Sequence, residues 1–447
     1  MPASLADLTD ALLSAARAAG ADTADALAVA GTSVNIDLRA GALEQAERSE
    51  ATEVGLRVMI GRRQACVSAS DVSQSTFARL AERAVAMARE APEDPYAGLA
   101  DPDQLARNWD LAALDLTDPA DEPSAGALEQ DARRAEAAAL DYPGISQVEA
   151  SAGYARRGLH LATSHGFSGG YARTSRSISA VAFTGTGTAM ERDWAGEGRV
   201  WQTDMPDAAE IGALAARRTL QRAGALRPVT GRFAVLFDER VAASLIGHLL
   251  SAVNGAAVAR GSSWLRGALG QPVLPAHLSV TENPHRPRVS GSRPFDGEGL
   301  PTLQRTIVQD GVLMGWTLDL ATGRQLGMPS TASASRSTSA PPSPSTSNID
   351  LSQGNVSRAD LIRDMGTGLL VTSMIGSTIN PTTGDYSRGA SGFWVQNGEV
   401  THPVNECTIA GNLRDMLLRI VPANDARAHL STRVPSILIE GMTLAGT

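Results

Sequence analysis

The sequence predicts an α+β protein, with an N-terminal mixed α/β domain over residues 1–225 and a mainly antiparallel β domain over residues 226–447. Three observations lead there. At 447 residues and 46.5 kDa the chain exceeds what one hydrophobic core ordinarily organises, so two domains are the default. Helical stripes and short alternating runs are interleaved up to a helix stopped by Gly224, and Pro228 follows, which places the boundary at 225–231. After about residue 254 the pattern turns to strands and tight turns. Asp310-Gly311 and Asn397-Gly398 are hairpin signals there, because both dipeptides tolerate the positive φ angles of type I′ turns.

The elements follow in order. Ser4 caps a first helix with Leu5, Leu8 and Leu12 on one face and Gly20 as its stop. Residues 26–30 and 33–38 read as short strands. Leu56, Val58 and Ile60 alternate, Gly61-Arg62 turns the chain, and Ala65, Val67 and Ala69 alternate on the return. Phe77, Leu80, Ala84 and Met87 form a helical stripe ending before Pro92. Residues 93–126, rich in Pro and Asp, read as a long connection; 127–140 as a helix; and 158–183 as β structure. Asp207 and Glu210 fit a capping box for a helix to Ala223. The second domain opens with strand 233–237 and helix 239–254. The sequence shows no convincing internal repeat.

Eighteen of the twenty residues from Pro329 to Asn348 are Ser, Thr, Ala or Pro. So few apolar groups cannot offset ordering entropy, which predicts a flexible loop over 329–348.

Composition excludes several classes. A formal charge of -9 repels a phosphate backbone, so nucleic acid is not an expected partner. No run of apolar residues is long enough to cross a bilayer, and residues 1–20 read as an amphipathic helix rather than a signal peptide. Cys66 and Cys407 are the two cysteines, too few for a disulfide framework. A cytoplasmic protein is expected.

Most residues that could carry chemistry have a structural explanation. Gly166-Phe167-Ser168-Gly169-Gly170 matches G-x-S-x-G, but that motif needs a strand-to-helix elbow, and residues 171–183 alternate like a strand. An independent serine hydrolase is therefore the weaker alternative. His160 and His165 are five apart in β structure and point to opposite faces. Glu282 with His285, and His402 with Glu406, are two-ligand pairs, whereas zinc needs three protein ligands. His248 stands at the edge of a buried helical stripe without a co-ligand. No catalytic or metal-ligating residue is assigned.

The densest signal is Gly384-Asp385-Tyr386-Ser387-Arg388-Gly389-Ala390-Ser391-Gly392, followed by Phe393 to Gly398. Repeated glycine means sharp bends or close backbone approach. Gly384, Asp385, Tyr386, Ser387, Arg388 and Gly389 are the candidate substrate or interface loop. A bulged strand feeding a hairpin explains the same residues, with Asp385 and Arg388 paired to brace it.

Residues Met365 to Thr372, Gly384 to Gly398 and Thr408 to Leu413, together with Pro294-Phe295-Asp296-Gly297-Glu298-Gly299, resemble blocks of the TldE (PmbA) proteins. The resemblance is to the TldD/TldE metallopeptidase family, which carries an old label as modulators of DNA gyrase. It implies peptide maturation or degradation by a pair of subunits. TldD subunits hold zinc with His-Glu-x-x-x-His and a late cysteine, and TldE subunits lack the site. Carried over by spacing, the three motif positions fall on Ile246, Gly247 and Ser251, and the late cysteine position falls near 431–434, where there is none. The implied function is that of a non-catalytic TldE-type subunit with no cofactor of its own, zinc being held by a TldD-type catalytic partner, and with a peptide or unfolded protein as substrate. A gyrase- or nucleic-acid-associated regulator is the alternative that the old label suggests.

Overall fold

The computed structural model describes residues 4–446. Its N-terminal part is one six-stranded antiparallel sheet with four long helices. Helix α1 (Leu5–Ala18) leads into β1 (Thr23–Arg39), β2 (Ala42–Ile60), β3 (Arg63–Ala69) and α2 (Gln74–Glu90). Then α3 (Ala125–Leu140) leads into β4 (Ile145–Thr163), β5 (Ser168–Thr184), β6 (Glu191–Arg199) and α4 (Ala208–Gln221). The sheet order is β3-β2-β1-β4-β5-β6.

That order contains a duplication. The sequence helix–strand–strand–strand–helix occurs twice, and the copies join by antiparallel pairing of β1 with β4, from Asp25↔Thr163 to Arg39↔Glu149. Each helix pair packs mainly over the strands of its own copy, and β1 also gives Val34, Ile36 and Leu38 to the core under α3 and α4. Leu12, Phe77 and Ala84 of α1 and α2 meet Leu56 and Val58, and Leu128, Ala132, Ile211 and Ala215 of α3 and α4 meet Val148 and Ile178. The absence of a repeat read from the sequence is thus corrected. Matching element order and packing leaves identity free, because each position only needs an apolar residue of the right period.

The C-terminal sheet runs through β7 (Gly231–Phe237), β8 (Gly368–Ile379), β9 (Asp385–Gln396), β10 (Glu399–Asn412) and β11 (Ile437–Ala445), ordered β10-β9-β8-β7-β11. Only β7 and β8 pair in parallel among these, and β10 also pairs with β11 at Thr408–Ala410, so the sheet curls back on itself. Helix α5 (Glu239–Ala252) follows β7 and buries Leu245, Ile246 and Leu249 in the core with Phe237, Leu369 and Ile409. Both predicted type I′ turns are present, with φ of 49° and 81° at Asp310 and Gly311, and of 54° and 78° at Asn397 and Gly398.

Three expectations need correction. The two short strands expected at 26–30 and 33–38 are one continuous strand, and β2 begins at Ala42, where its first ten residues are exposed. With no buried face, that half of the strand has no alternating pattern to find. Met87 lies on the solvent side of α2, at 43% exposed.

The 329–348 segment is the larger correction. It pairs Ala334–Ser335 with Ser343–Pro344 and buries Ser333, Ala334, Thr338 and Asn348. It also crosses to the N-terminal sheet, where Arg336 binds Asp25 of β1 and a Cβ added at Gly55 of β2 would overlap the Thr338 carbonyl oxygen. Arg293 supplies donors to the Ala334 and Ser345 carbonyls at 3.0 and 2.8 Å, and Asn254 to Pro344 at 2.8 Å. Composition undercounted the segment because polar groups with assigned partners order a chain without an apolar core of their own.

Candidate functional site

Gly384 precedes β9 with φ of 81°, closing a turn in which its N–H donates to the Asn380 carbonyl at 2.8 Å. From Asp385 onward the chain is a strand, and it has neighbours on both sides. Tyr386 pairs with Ile379 of β8 and with Gly411 of β10. The segment therefore offers no free edge for an added strand. The bulge belongs to the neighbour, where the β8–β9 register shifts between Ile375 and Thr378. The bulged-strand reading describes this geometry, although the bulge is on β8.

Side chains alternate across β9. Asp385 is exposed and accepts from the Thr383 hydroxyl at 2.7 Å and from Asn412 Nδ2 at 3.1 Å; these two bonds, Thr383 first, hold its carboxyl below the usual range. Tyr386 is buried, its hydroxyl donates to Met374 Sδ at 3.4 Å, and burial pushes its pKa up to about 12. Ser387 is half-buried on the side of Asp385. Arg388 donates from Nε to the Gly376 carbonyl at 2.8 Å, in the bulge. Gly389 lies opposite Ile375. The expected Asp385–Arg388 pair does not form, because each is engaged elsewhere and they leave opposite faces of the strand.

Tyr386 and Arg388 face α5. The His248 ring meets Tyr386 edge-on at 5.9 Å. Its Nε2 is buried without a partner. Burial first, and then the Arg388 charge, depress its basicity, which favours a neutral imidazole. In the sequence His248 has no co-ligand nearby. Only the fold, which brings residue 386 beside residue 248, gives it a setting.

On the same helix Ile246 is fully buried in the core. A Cβ at Gly247 would meet nothing within 4 Å, and exposed Ser251 turns its hydroxyl back to the Gly247 carbonyl at 2.9 Å. Isoleucine, glycine and serine do not suit a zinc ion, which takes imidazole, thiolate or carboxylate ligands. Among the described residues no group of three His, Cys, Asp or Glu is placed to hold a metal.

The other candidates have structural partners. Ser168 opens β5 after a strand-to-strand turn and lies 3.4 Å from His160 Nε2, whose Nδ1 is 2.9 Å from Thr9 Oγ1. His165 Nδ1 meets the Ala100 carbonyl at 2.7 Å. Glu282 binds Arg305, and His285 turns to Thr302 at 3.0 Å. Glu406 pairs with Arg227, and His402 Nδ1 meets Thr401 at 3.1 Å. Cys407 is a buried core thiol donating to the Ala390 carbonyl, and burial pushes its pKa up to about 11. No helix among the described residues is long and apolar enough to cross a membrane.

Comparison with known proteins gives the setting. Three family models match in chain order: PmbA/TldA metallopeptidase domain 1 over residues 24–88, the central domain over 118–223, and the C-terminal domain over 230–446. The metalloprotease PmbA of Escherichia coli is 36% identical over 93% of this chain and 90% of its own length. A PmbA homologue of Haemophilus influenzae is 35% identical over 94% and 90%. Among solved structures, a candidate modulator of DNA gyrase from Bacteroides thetaiotaomicron superposes with a TM-score of 0.89 at 25% identity, covering 98% of both chains. TldE of Thermococcus kodakarensis shares the fold, with a TM-score of 0.84 at 17% identity over 98% of this chain and 99% of its own. The chain belongs to the PmbA/TldD metallopeptidase family, as a member of its PmbA (TldE) type.

Proposed function

We propose that this chain is the non-catalytic, TldE-type half of a heterodimeric zinc peptidase that processes or degrades peptides in the cytoplasm, the metal being held by a TldD-type partner. One observation carries the reading. Where the zinc-binding pattern would fall on α5, the chain has a core isoleucine, a glycine and a serine. Ile246 turns into the core, and neither Gly247 nor Ser251 offers a ligand or a general base.

The role left to the Gly384–Gly389 segment is one of side chains, since its backbone is already paired. The adjoining end of the β8–β9 hairpin leaves Ile375 77% exposed beside the Arg388–Gly376 contact. An exposed aliphatic residue on a braced hairpin suits a subunit contact or the wall of a peptide channel.

The test has two parts. Metal analysis of the purified chain is expected to find no tightly bound zinc, and peptidase activity is expected only with a TldD-type partner, disappearing with chelator. One zinc per chain, or robust cleavage by the chain alone, overturns the division of labour. The gyrase reading has a structural neighbour's description behind it, but a net charge of -9 works against a phosphate-backbone partner.

A further inference from the structure

Between the N-terminal sheet and the 293–297 and 334–338 segments lies a cavity of about 160 Å³. Leu27 and Val29 of β1, Leu161 of β4 and Phe295 give it an apolar wall, and Arg293 and Arg336 also line it. The Arg336 side chain is 2% exposed and gives Nη1 to Asp25, yet its Nε and Nη2 are buried with no acceptor. Arg293 spends both terminal nitrogens on backbone carbonyls, and its Nε is buried with no acceptor as well. Buried donors on a cation cost free energy unless something accepts from them.

Charge points the same way. Arg157, Arg293 and Arg336 line the cavity against Glu53 and Asp296. Behind the wall Asp25 is matched by Arg57. Asp296 already accepts from the backbone N–H groups of Glu298, Leu300 and Ala334. Among the residues lining the cavity the arginines outnumber the carboxylates three to two, and three guanidinium nitrogens lack acceptors.

We propose that this cavity binds a small organic carboxylate with an apolar body. The carboxylate would rest on the free N–H groups of Arg336 and Arg293, and the hydrocarbon on Leu27, Val29, Leu161 and Phe295. A cavity of about 150 Å³ holds a six-membered ring, so the occupant has on the order of eight non-hydrogen atoms. A free branched-chain acid and the C-terminal residue of a peptide share this chemistry. Glu53 and Arg157 at the rim are exposed, which leaves room for a chain to enter. The site stands apart from α5 and β9, and the proposal holds whether or not the chain is half of a peptidase.

Calorimetric titration of the full chain tests it. The probes are 4-methylpentanoate, its neutral amide, and a tripeptide ending in leucine with a free or an amidated terminus. The acid is expected to bind at least about tenfold more tightly than the amide, the size of a charge-assisted hydrogen bond. Val29→Trp fills the cavity from the apolar side and is expected to remove binding without changing the melting temperature. Arg336→Gln is expected to weaken acid binding about tenfold. If that variant does not fold, Val29→Trp and the acid–amide comparison decide. Binding of the free-acid peptide assigns the site to peptide termini, and binding of the small acid alone assigns it to free acids. Equal binding of acid and amide, no binding of either acid, or full binding by a folded Val29→Trp protein overturns the proposal.

Discussion

Replacing Arg336 by alanine should destabilise the protein by about 3 kcal/mol, although the residue sits in a segment whose composition suggests a free loop. The magnitude follows from the charges around Asp25. The Asp25, Arg57 and Arg336 side chains are 2%, 4% and 2% exposed, and Arg57 Nη2 lies 2.5 Å from Asp25 Oδ2. Breaking a buried pair typically costs about 3–5 kcal/mol, because the remaining charge is left unpaired. Removing Arg336 still leaves Asp25 paired with Arg57, which puts the cost at the lower end. Removing Asp25 leaves two buried guanidinium groups with no anion between them, so Asp25→Ala should cost more than Arg336→Ala. Urea unfolding followed by tryptophan fluorescence measures both. The pH dependence has a definite sign. Burial raises the Asp25 pKa, but the two arginines outweigh it and hold the carboxyl below its usual value. Its folded pKa is depressed, so its contribution is present above the unfolded value and lost as pH falls through the folded one. Arg336→Ala should therefore lose less stability on acidification than the parent. A cost below about 0.5 kcal/mol, within surface noise, or an Asp25→Ala variant milder than Arg336→Ala, would refute the docked segment.

Glu298 is buried, and its pKa is raised well above the usual range, first by desolvation and then by Asp296 and Asp319. A raised folded pKa means that stability is full below the unfolded value and declines as pH rises toward the folded one. Glu298→Gln keeps an acceptor for the Leu320 N–H, so it should be more stable than the parent at pH 8 and similar to it near pH 4; equal stability at both refutes this. At Gly392 a Cβ would overlap the Leu370 carbonyl oxygen across the β8–β9 pair. Gly392→Ala should cost about 1–3 kcal/mol by overpacking, seen as a lower urea midpoint. In the reconstituted complex, Arg388→Ala and Asp385→Ala should lower peptidase activity with little change in melting temperature. Unfolding of the subunit with normal kinetics in the residual complex would make the segment purely structural.

Local chemistry made much of the architecture legible. The Asp310-Gly311 and Asn397-Gly398 turns, the cap at Ser4 and the stop at Gly224 rest on backbone preferences within a few residues, and the α+β class followed from them. Features that depend on partners far along the chain were not legible. The duplicated N-terminal unit is a repeat of packing, so its two copies share a period but few residues. The 329–348 segment is ordered by Asp25 and Gly55, about 300 residues away in sequence. At the candidate site, Gly389 and Gly392 lie close against Ile375 and Leu370 of β8, and Gly384 turns the chain at positive φ. That β8 is the neighbour is a fact no local pattern carries.

The α5 helix sharpens the case for a chain that keeps the fold without the metal. Grafting the zinc pattern as Ile246→His, Gly247→Glu and Ser251→His should not restore a site. Residues 239–252 form a regular α-helix, in which each residue turns about 100°. Positions 246 and 251 therefore diverge by roughly 140°, and only 247 and 251 share a face. Ile246 is fully buried among core residues, so a histidine there loses apolar contacts and buries an imidazole, at about 2–5 kcal/mol. By contrast, Gly247 faces open space, and replacing it with glutamate should gain up to about 1 kcal/mol of helix propensity. The expected ranking is that Gly247→Glu with Ser251→His matches or slightly exceeds the parental melting temperature, while adding Ile246→His lowers it and binds no zinc at neutral pH. Stoichiometric zinc in the triple variant, with its melting temperature raised by the metal, would mean that α5 can rewind to bring residues 246 and 251 together, and that the missing site is a matter of three side chains alone.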